Sequence, residues 1–213
     1  MIDPLRSEGI YTPPSLQGSL VYPGFLGGMN WGSMAWDEER NLLITGVNRV
    51  AMWVRLTPRE PGSQGGNMVG TPYTMTRAPI LTSSQMLCTK PPWGTLVAVD
   101  LATGEIRWEV PLGIVPALAE VEGSDEWGSI FIGGPMITAG GLVFAAAGMD
   151  DNIRAFDIET GEVLWTGALP AGGQATPMTY SIAGKQYVVI CAGGHGGLGT
   201  TIGDYVVAFA LPD

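Results

Sequence analysis

Hydrophobic and polar positions alternate along this chain in short runs broken by turn residues. The clearest runs are LVAVDLATGEIRWEV (residues 96–110) and IRAFDIETGEVLWTG (residues 153–167), the second beginning 57 residues after the first. In each, an alternating run ends in Asp (Asp100, Asp157), the turn carries Thr103-Gly104 or Thr160-Gly161, and a second run contains Trp108 or Trp165. This predicts a β-hairpin: the Asp side chain bonds the backbone of its own turn, Gly takes the positive φ, and alternation turns one face inward. A Trp at the same place in each copy suggests an aromatic packing onto the neighbouring unit. A third, partial copy, DYVVAFALPD (residues 204–213), aligns Ala208-Phe209 with Ala155-Phe156 and ends before its turn.

Two further strand-like runs precede each hairpin, as in PMITAGGLVFAAAG (residues 135–148) and TPMTYSIAGKQYVVICAGG (residues 176–194). Four strands in a repeat of about 50 residues are the signature of a β-propeller blade. The N-terminal third predicts one more blade, with strands near residues 32–36, 41–47 and 51–57. A long Gly/Pro-rich excursion over residues 58–94 then precedes Leu96. The expectation is an all-β fold, a single propeller domain over residues 1–213 with about three four-stranded blades, the last lacking its outermost strand. Propellers typically close with about 4 to 8 blades. Three would leave open sheet edges, so the chain is expected to be completed by missing N-terminal blades or by other copies.

Composition agrees with many short strands: 32 Gly and 16 Pro in 213 residues, with only 14% charged. A formal charge of −10 argues against nucleic acid and against an anionic membrane surface. Cys88 and Cys191 form no CxxC, which leaves either a disulfide or two buried free thiols. No apolar run approaches the roughly 18 residues of a membrane span, and MIDPLRSEGI lacks a secretion signal's apolar core. A segment outside this sequence would have to carry the protein out of the cytoplasm.

AGGHGGLG (residues 192–199) contains Gly194-x-Gly196-x-x-Gly199, the letters of a dinucleotide-binding loop. That motif needs a following helix and an acidic residue about 20 positions on. Here an alternating strand-like run follows, and only 14 residues remain after Gly199. A Rossmann unit is therefore excluded.

The Asp-x-x-Thr-Gly-x-x-x-Trp repeats, LPAGGQATPMTY (residues 169–180), AGGHGG (residues 192–197) and GDYVVAFALPD (residues 203–213) resemble the C-terminal part of quinoprotein dehydrogenases that use pyrroloquinoline quinone (PQQ). TPPSLQGSLVYPG (residues 12–24) and KPPWGTLVAVDL (residues 90–101) are similar to the membrane-bound glucose and quinate dehydrogenase branch. The resemblance implies an eight-bladed propeller of which this chain supplies the last blades. It implies oxidation of a sugar or polyol by a bound PQQ, with an Asp as base, calcium (or magnesium) polarising the quinone, and ubiquinone receiving the electrons on the periplasmic side of the bacterial inner membrane. It assigns His195 and Gly196 to the cofactor, since imidazole can donate to a carboxylate or quinone oxygen and Gly permits close approach. Asn30 and Trp31, in GGMNWGS (residues 27–33), resemble an Asn-Trp pair near the quinone in related alcohol dehydrogenases. Phe25 stands where that branch is expected to carry a polar residue.

The family's catalytic Asp, metal ligands and cofactor-binding Lys map to no position here, so no catalytic or metal residue is assigned and the chain alone is expected to lack turnover. Asp100 and Asp157 are read as turn residues, and Trp108 and Trp165 as blade packing. Asp150-Asp151 and Asp37-Glu38-Glu39 are read as solvated turns. Two other functions compete: a non-catalytic propeller scaffold, which has no use for GGHGG or NWGS near the axis, and a short protein whose copies complete a ring.

Overall fold

A computed structural model of the chain describes residues 3–60, 62, 67–146 and 148–212. Among these, the first strands are β1 (Ser19–Val21), β2 (Met34–Asp37), β3 (Leu42–Asn48), β4 (Met52–Pro58), β5 (Tyr73–Pro79), β6 (Gly94–Asp100) and β7 (Ile106–Pro111). The remainder are β8 (Met136–Ile137), β9 (Leu142–Ala145), β10 (Asn152–Asp157), β11 (Val163–Ala168), β12 (Met178–Ile182), β13 (Lys185–Ala192) and β14 (Tyr205–Phe209). Two compact units result: residues 1–27 with 49–90, and residues 28–48 with 91–213.

The larger unit holds three antiparallel sheets, ordered β2-β3-β6-β7, β8-β9-β10-β11 and β12-β13-β14. These are two four-stranded blades and a third that lacks its fourth strand, as the repeat predicts. Alternation decides how they stack. In the middle blade, Val143, Ala145, Phe156 and Ile158 join Leu42, Ile44, Leu96, Ala98 and Trp108 of the first blade in one core. The intervening residues Phe144, Ala146, Ile153 and Ala155 join Val188, Ile190 and Ala192 of the third in another. A sheet that is apolar on both faces can only be satisfied between two others, which is the packing of propeller blades.

The repeated hairpins match in detail. Asp100 Oδ1 accepts the amides of Ala102 and Thr103 at 2.8 and 3.4 Å. Asp157 Oδ1 accepts those of Glu159 and Thr160 at 2.8 and 2.9 Å. Gly104 and Gly161 take φ of +74° and +75°. Both copies shift register at the same place, between Ala98 and Val99 and between Ala155 and Phe156, and both set the Trp opposite an Ala. Trp108, 8% exposed, packs against Gly161 of the next blade and donates from Nε1 to the Ile158 carbonyl at 2.8 Å. Glu159 of that turn bridges Arg107 and Arg40 at 2.9 and 3.0 Å. Trp165 packs edge-on against Phe209 with ring centroids 5.1 Å apart and is 39% exposed.

Three expectations need correction. Residues 51–57 are not the third strand of the first blade: β4 pairs with β1 and β5 in the smaller unit's three-stranded sheet, and the blade's third strand is β6. The stretch over residues 58–94 accordingly contains a strand, β5. Asp150 is not solvated: it is 9% exposed, binds Arg154 at 3.1 and 2.5 Å and accepts the Ile114 amide at 2.9 Å. Asp37 is also buried, where it accepts the Arg40 amide and binds its guanidinium at 3.0 Å. That hydrogen bond holds the guanidinium above its ordinary pKa range against the opposing effect of desolvation. Glu38 and Glu39 remain exposed in the turn.

In the smaller unit, the Arg77 guanidinium lies 4.1 Å over the Phe25 ring, so Phe25 serves a cation–π contact. Both cysteines are free, Cys88 half-buried and Cys191 exposed, so neither is the buried thiol composition suggests. No helix among the described residues is long and apolar enough to cross a membrane.

The Trp108 geometry carries a quantitative expectation. Trp108→Phe strips a buried carbonyl of its donor and costs about 1–3 kcal/mol. At Trp165 the indole N–H has no partner among the described residues, and the same change should cost less than about 1 kcal/mol. Urea unfolding of the two variants side by side checks the difference.

Candidate functional site

Antiparallel order sorts the connections of the larger unit to two ends. The hairpin turns after β2, β6, β8, β10 and β12 gather at one end. The connections entering each blade (residues 28–33, 131–135 and 169–177) and those joining second to third strands (residues 148–151 and 193–204) gather at the other. All four residues expected to meet a cofactor, Asn30, Trp31, His195 and Gly196, lie on connections of this second end.

Glycine dominates these connections because backbones meet there. A Cβ on Gly32 would fall within the backbone of Gly133 and Gly134, and one on Gly134 within that of Gly32. The partner loop is anchored by Asn48, whose Nδ2 donates to the Phe131 carbonyl at 2.9 Å and whose Oδ1 accepts the Phe131 amide at 3.1 Å. The Gly134 amide passes on to Thr176 Oγ1 at 3.1 Å. Two residues further back, Gln174 Nε2 donates to the Gly148 carbonyl at 2.6 Å, and Gln174 Oε1 accepts the Thr200 hydroxyl at 3.2 Å. Thr200 Oγ1 in turn accepts the His195 amide at 2.7 Å. The Asn30 loop and the His195 loop, from the first and third blades, are thus joined by a continuous belt running through the loops of the middle blade.

The expected contact residues are presented differently. His195 is exposed, extended at φ −146°, ψ 108°, and caps a single 3-10 turn, Gly196–Leu198. The strand is followed by that one turn and no α-helix, in keeping with the exclusion of a dinucleotide fold. The imidazole has no hydrogen-bond partner among the described residues. A Cβ on Gly196 would meet nothing within 4 Å, so packing within the chain does not demand glycine there. Asn30 Oδ1 accepts the Trp31 amide at 2.6 Å, and its Nδ2 has no hydrogen-bond partner among the described residues. Trp31 is 98% exposed.

Gln174, Thr176, Thr200 and the Gly32–Gly134 contact escape sequence reasoning. The one available signal is a long amide in the small-residue run AGGQAT. Asp151 accepts the Thr201 hydroxyl at 2.6 Å through Oδ2, while its Oδ1 is buried without a partner among the described residues. Among those residues, no group of three or more His, Cys, Asp or Glu side chains is placed to hold a metal ion.

Three face-stacked sheets whose glycine-rich connections converge at one end make a sector of a β-propeller. The family model "Glucose/ethanol/alcohol dehydrogenase, beta-propeller domain", of the PQQ class, matches residues 1–188, and the chain belongs to that family. It is 43% identical to the quinoprotein glucose dehydrogenase of Escherichia coli over 100% of this chain and 29% of that protein. It is 40% identical to the quinate/shikimate dehydrogenase (quinone) of Acinetobacter baylyi over 97% of this chain and 28% of that protein. The quinohemoprotein alcohol dehydrogenase of Comamonas testosteroni shares the fold, with a TM-score of 0.64 at 22% identity over 91% of this chain and 27% of that one. The chain therefore spans under a third of the length of these relatives.

The two kinds of glycine should separate in a stability measurement. Gly32→Ala forces two backbones apart and costs about 1–3 kcal/mol by overpacking. Gly196→Ala stays within about 0.5 kcal/mol of the parent. Thermal unfolding without added ligand provides the comparison.

Proposed function

We propose that this chain is the C-terminal portion of a PQQ-dependent dehydrogenase that oxidises a CH–OH group of a sugar or cyclic polyol of glucose or quinate type. Electrons pass to ubiquinone at the periplasmic side of the inner membrane. The observation that carries this reading is the His195 loop. It offers an exposed imidazole with no hydrogen-bond partner among the described residues, beside a glycine whose Cβ would meet nothing within 4 Å, on the glycine-lined end of a propeller sector.

These residues suit a flat, anionic quinone. His195 supplies an N–H donor for a carboxylate or ring oxygen, and Gly196 lets a flat ring approach the backbone. Asn30, with Oδ1 already engaged, supplies Nδ2 as a second donor, and the Trp31 indole offers a planar surface. When bound, PQQ supplies the two-electron acceptor for the CH–OH carbon. The work of this chain is to hold and orient that group. The general base and the calcium or magnesium ligands belong to the rest of the protein, as do the membrane anchor and most of the substrate pocket. Residues 1–213 then form one partial propeller domain, completed by the N-terminal blades.

The full-length protein, supplied with PQQ and calcium, should reduce an artificial dye when given sugars or cyclic polyols, whereas the 213-residue chain alone should not. Absence of reduction with every such substrate overturns the dehydrogenase reading in favour of a scaffold. His195→Ala and Gly196→Ala should each raise the PQQ concentration needed for half-maximal reconstitution about tenfold, the equivalent of about 1.4 kcal/mol. Gly196→Ala is the sharper probe, because its fold stability is expected to be unchanged.

A further inference from the structure

We propose that Thr200 and Gln174 are positioning residues that preset the His195 loop for the quinone. The proposal rests on the dehydrogenase reading for the identity of the ligand, but not for the geometry. The loop over residues 193–203 is tied down at its two ends. The Gly194 amide donates to the Gly172 carbonyl at 2.8 Å, the Gly172 amide to the Thr201 carbonyl at 2.9 Å, and the Gly203 amide to the Gly193 carbonyl at 3.1 Å. Between those ties, His195 is held from its own backbone. Its amide meets Thr200 Oγ1 at 2.7 Å, and its carbonyl accepts the Leu198 amide at 3.0 Å.

The polarity of the side-chain relay has one consistent assignment. The Gly148 carbonyl can only accept, so the group of Gln174 facing it at 2.6 Å is Nε2. Gln174 therefore presents Oε1 to Thr200, which makes the Thr200 hydroxyl the donor in the 3.2 Å contact. A hydroxyl that donates there keeps its lone pairs for the His195 amide. Along the series the Gln174 Nε2 donates to the Gly148 carbonyl, the Thr200 hydroxyl to Gln174 Oε1 and the His195 amide to Thr200 Oγ1, and such series reinforce each other in a dry setting. Thr200 is 7% exposed and is thus shielded from competing water. Space enforces the same arrangement, since a Cβ on Gly172 would run into Gln174 Oε1 and lie 2.8 Å from Thr200 Oγ1.

The relay fixes the extended backbone of His195, and with it the direction of the imidazole, without touching the imidazole. Gly196–Leu198 beyond it stay exposed or half-buried. Fixing the backbone in advance removes an ordering cost that ligand binding would otherwise carry.

The test uses full-length apoprotein with three variants. Thr200→Val keeps the shape and removes the relay, Thr200→Ser keeps the hydroxyl, and Gln174→Met severs the tie to Gly148. Equilibrium titration of PQQ absorbance gives affinity, dye reduction at saturating PQQ gives kcat, and hydrogen exchange of the ligand-free protein reports the 193–203 segment. Thr200→Val should weaken PQQ binding by about three- to tenfold with kcat at saturation unchanged. It should also speed exchange in residues 193–203 and leave β9 and β10 protected. Thr200→Ser should restore both readouts, and Gln174→Met should fall between. Parent-like affinity and exchange in Thr200→Val and Gln174→Met overturn the proposal, as does a fall in kcat without a change in affinity. If the parent takes up no PQQ, the cofactor half fails together with the dehydrogenase reading, and exchange alone then decides whether Thr200 holds the loop.

Discussion

The larger unit depends on the middle blade being apolar on both faces. Val143 and Ala145 of β9 join one core, and Phe144 with Ala146 just past the strand's end joins the other, so four consecutive residues serve two separate cores. A strand buried on both sides reads as a continuous apolar run, and LVFA, residues 142–145, is one. Neither outer blade could cover its inner face without that sheet. The first interface is closed at its rim by Trp108, which lies over the turn of the middle blade, whereas at the second, Trp165 packs edge-on against the Phe209 ring of β14.

The two ends of the stack are built from different chemistry. At the hairpin end, polar groups are used up locally: carboxylates bind the amides of their own turns, and Glu159 ties two arginines across the interface. At the other end backbones approach closely enough to exclude side chains, and Thr176, Gln174 and Thr200 tie the loops of neighbouring blades together. Among the described residues, the His195 imidazole, the Asn30 Nδ2 and the buried Asp151 Oδ1 have no hydrogen-bond partner there. Sites for flat ligands draw on such a contrast, since a rigid frame must present donors that its own folding does not consume.

How much was legible follows from the range of each interaction. The Asp-Thr-Gly hairpins were readable because their bonds span two or three residues and the motif occurs twice. The blade count followed from the same repeat. The third strand of the first blade was misplaced because β4 alternates as well as β6 does, and alternation marks a strand without naming its partner. Asp150 looked solvated because its cation, Arg154, lies within β10, where a charge was not expected to be buried. Gln174 and Thr200 lie 26 residues apart, and no local pattern joins them. His195 was singled out by family likeness alone, since one exposed histidine has no periodicity to betray it.

The first blade carries a consequence of another kind. Its second and third strands are adjacent in the sheet, with Asn48 directly paired to Gly94, yet 45 residues of chain intervene. The two ends of that excursion are fixed side by side by the ladder itself, whatever lies between them. The entropy of closing such a segment rises only with the logarithm of its length. Lengthening this segment at one of its exposed turns therefore adds little to the cost of closing it, and the strand junction acts as a socket whose register is kept by its own ladder while β4 and β5 keep theirs.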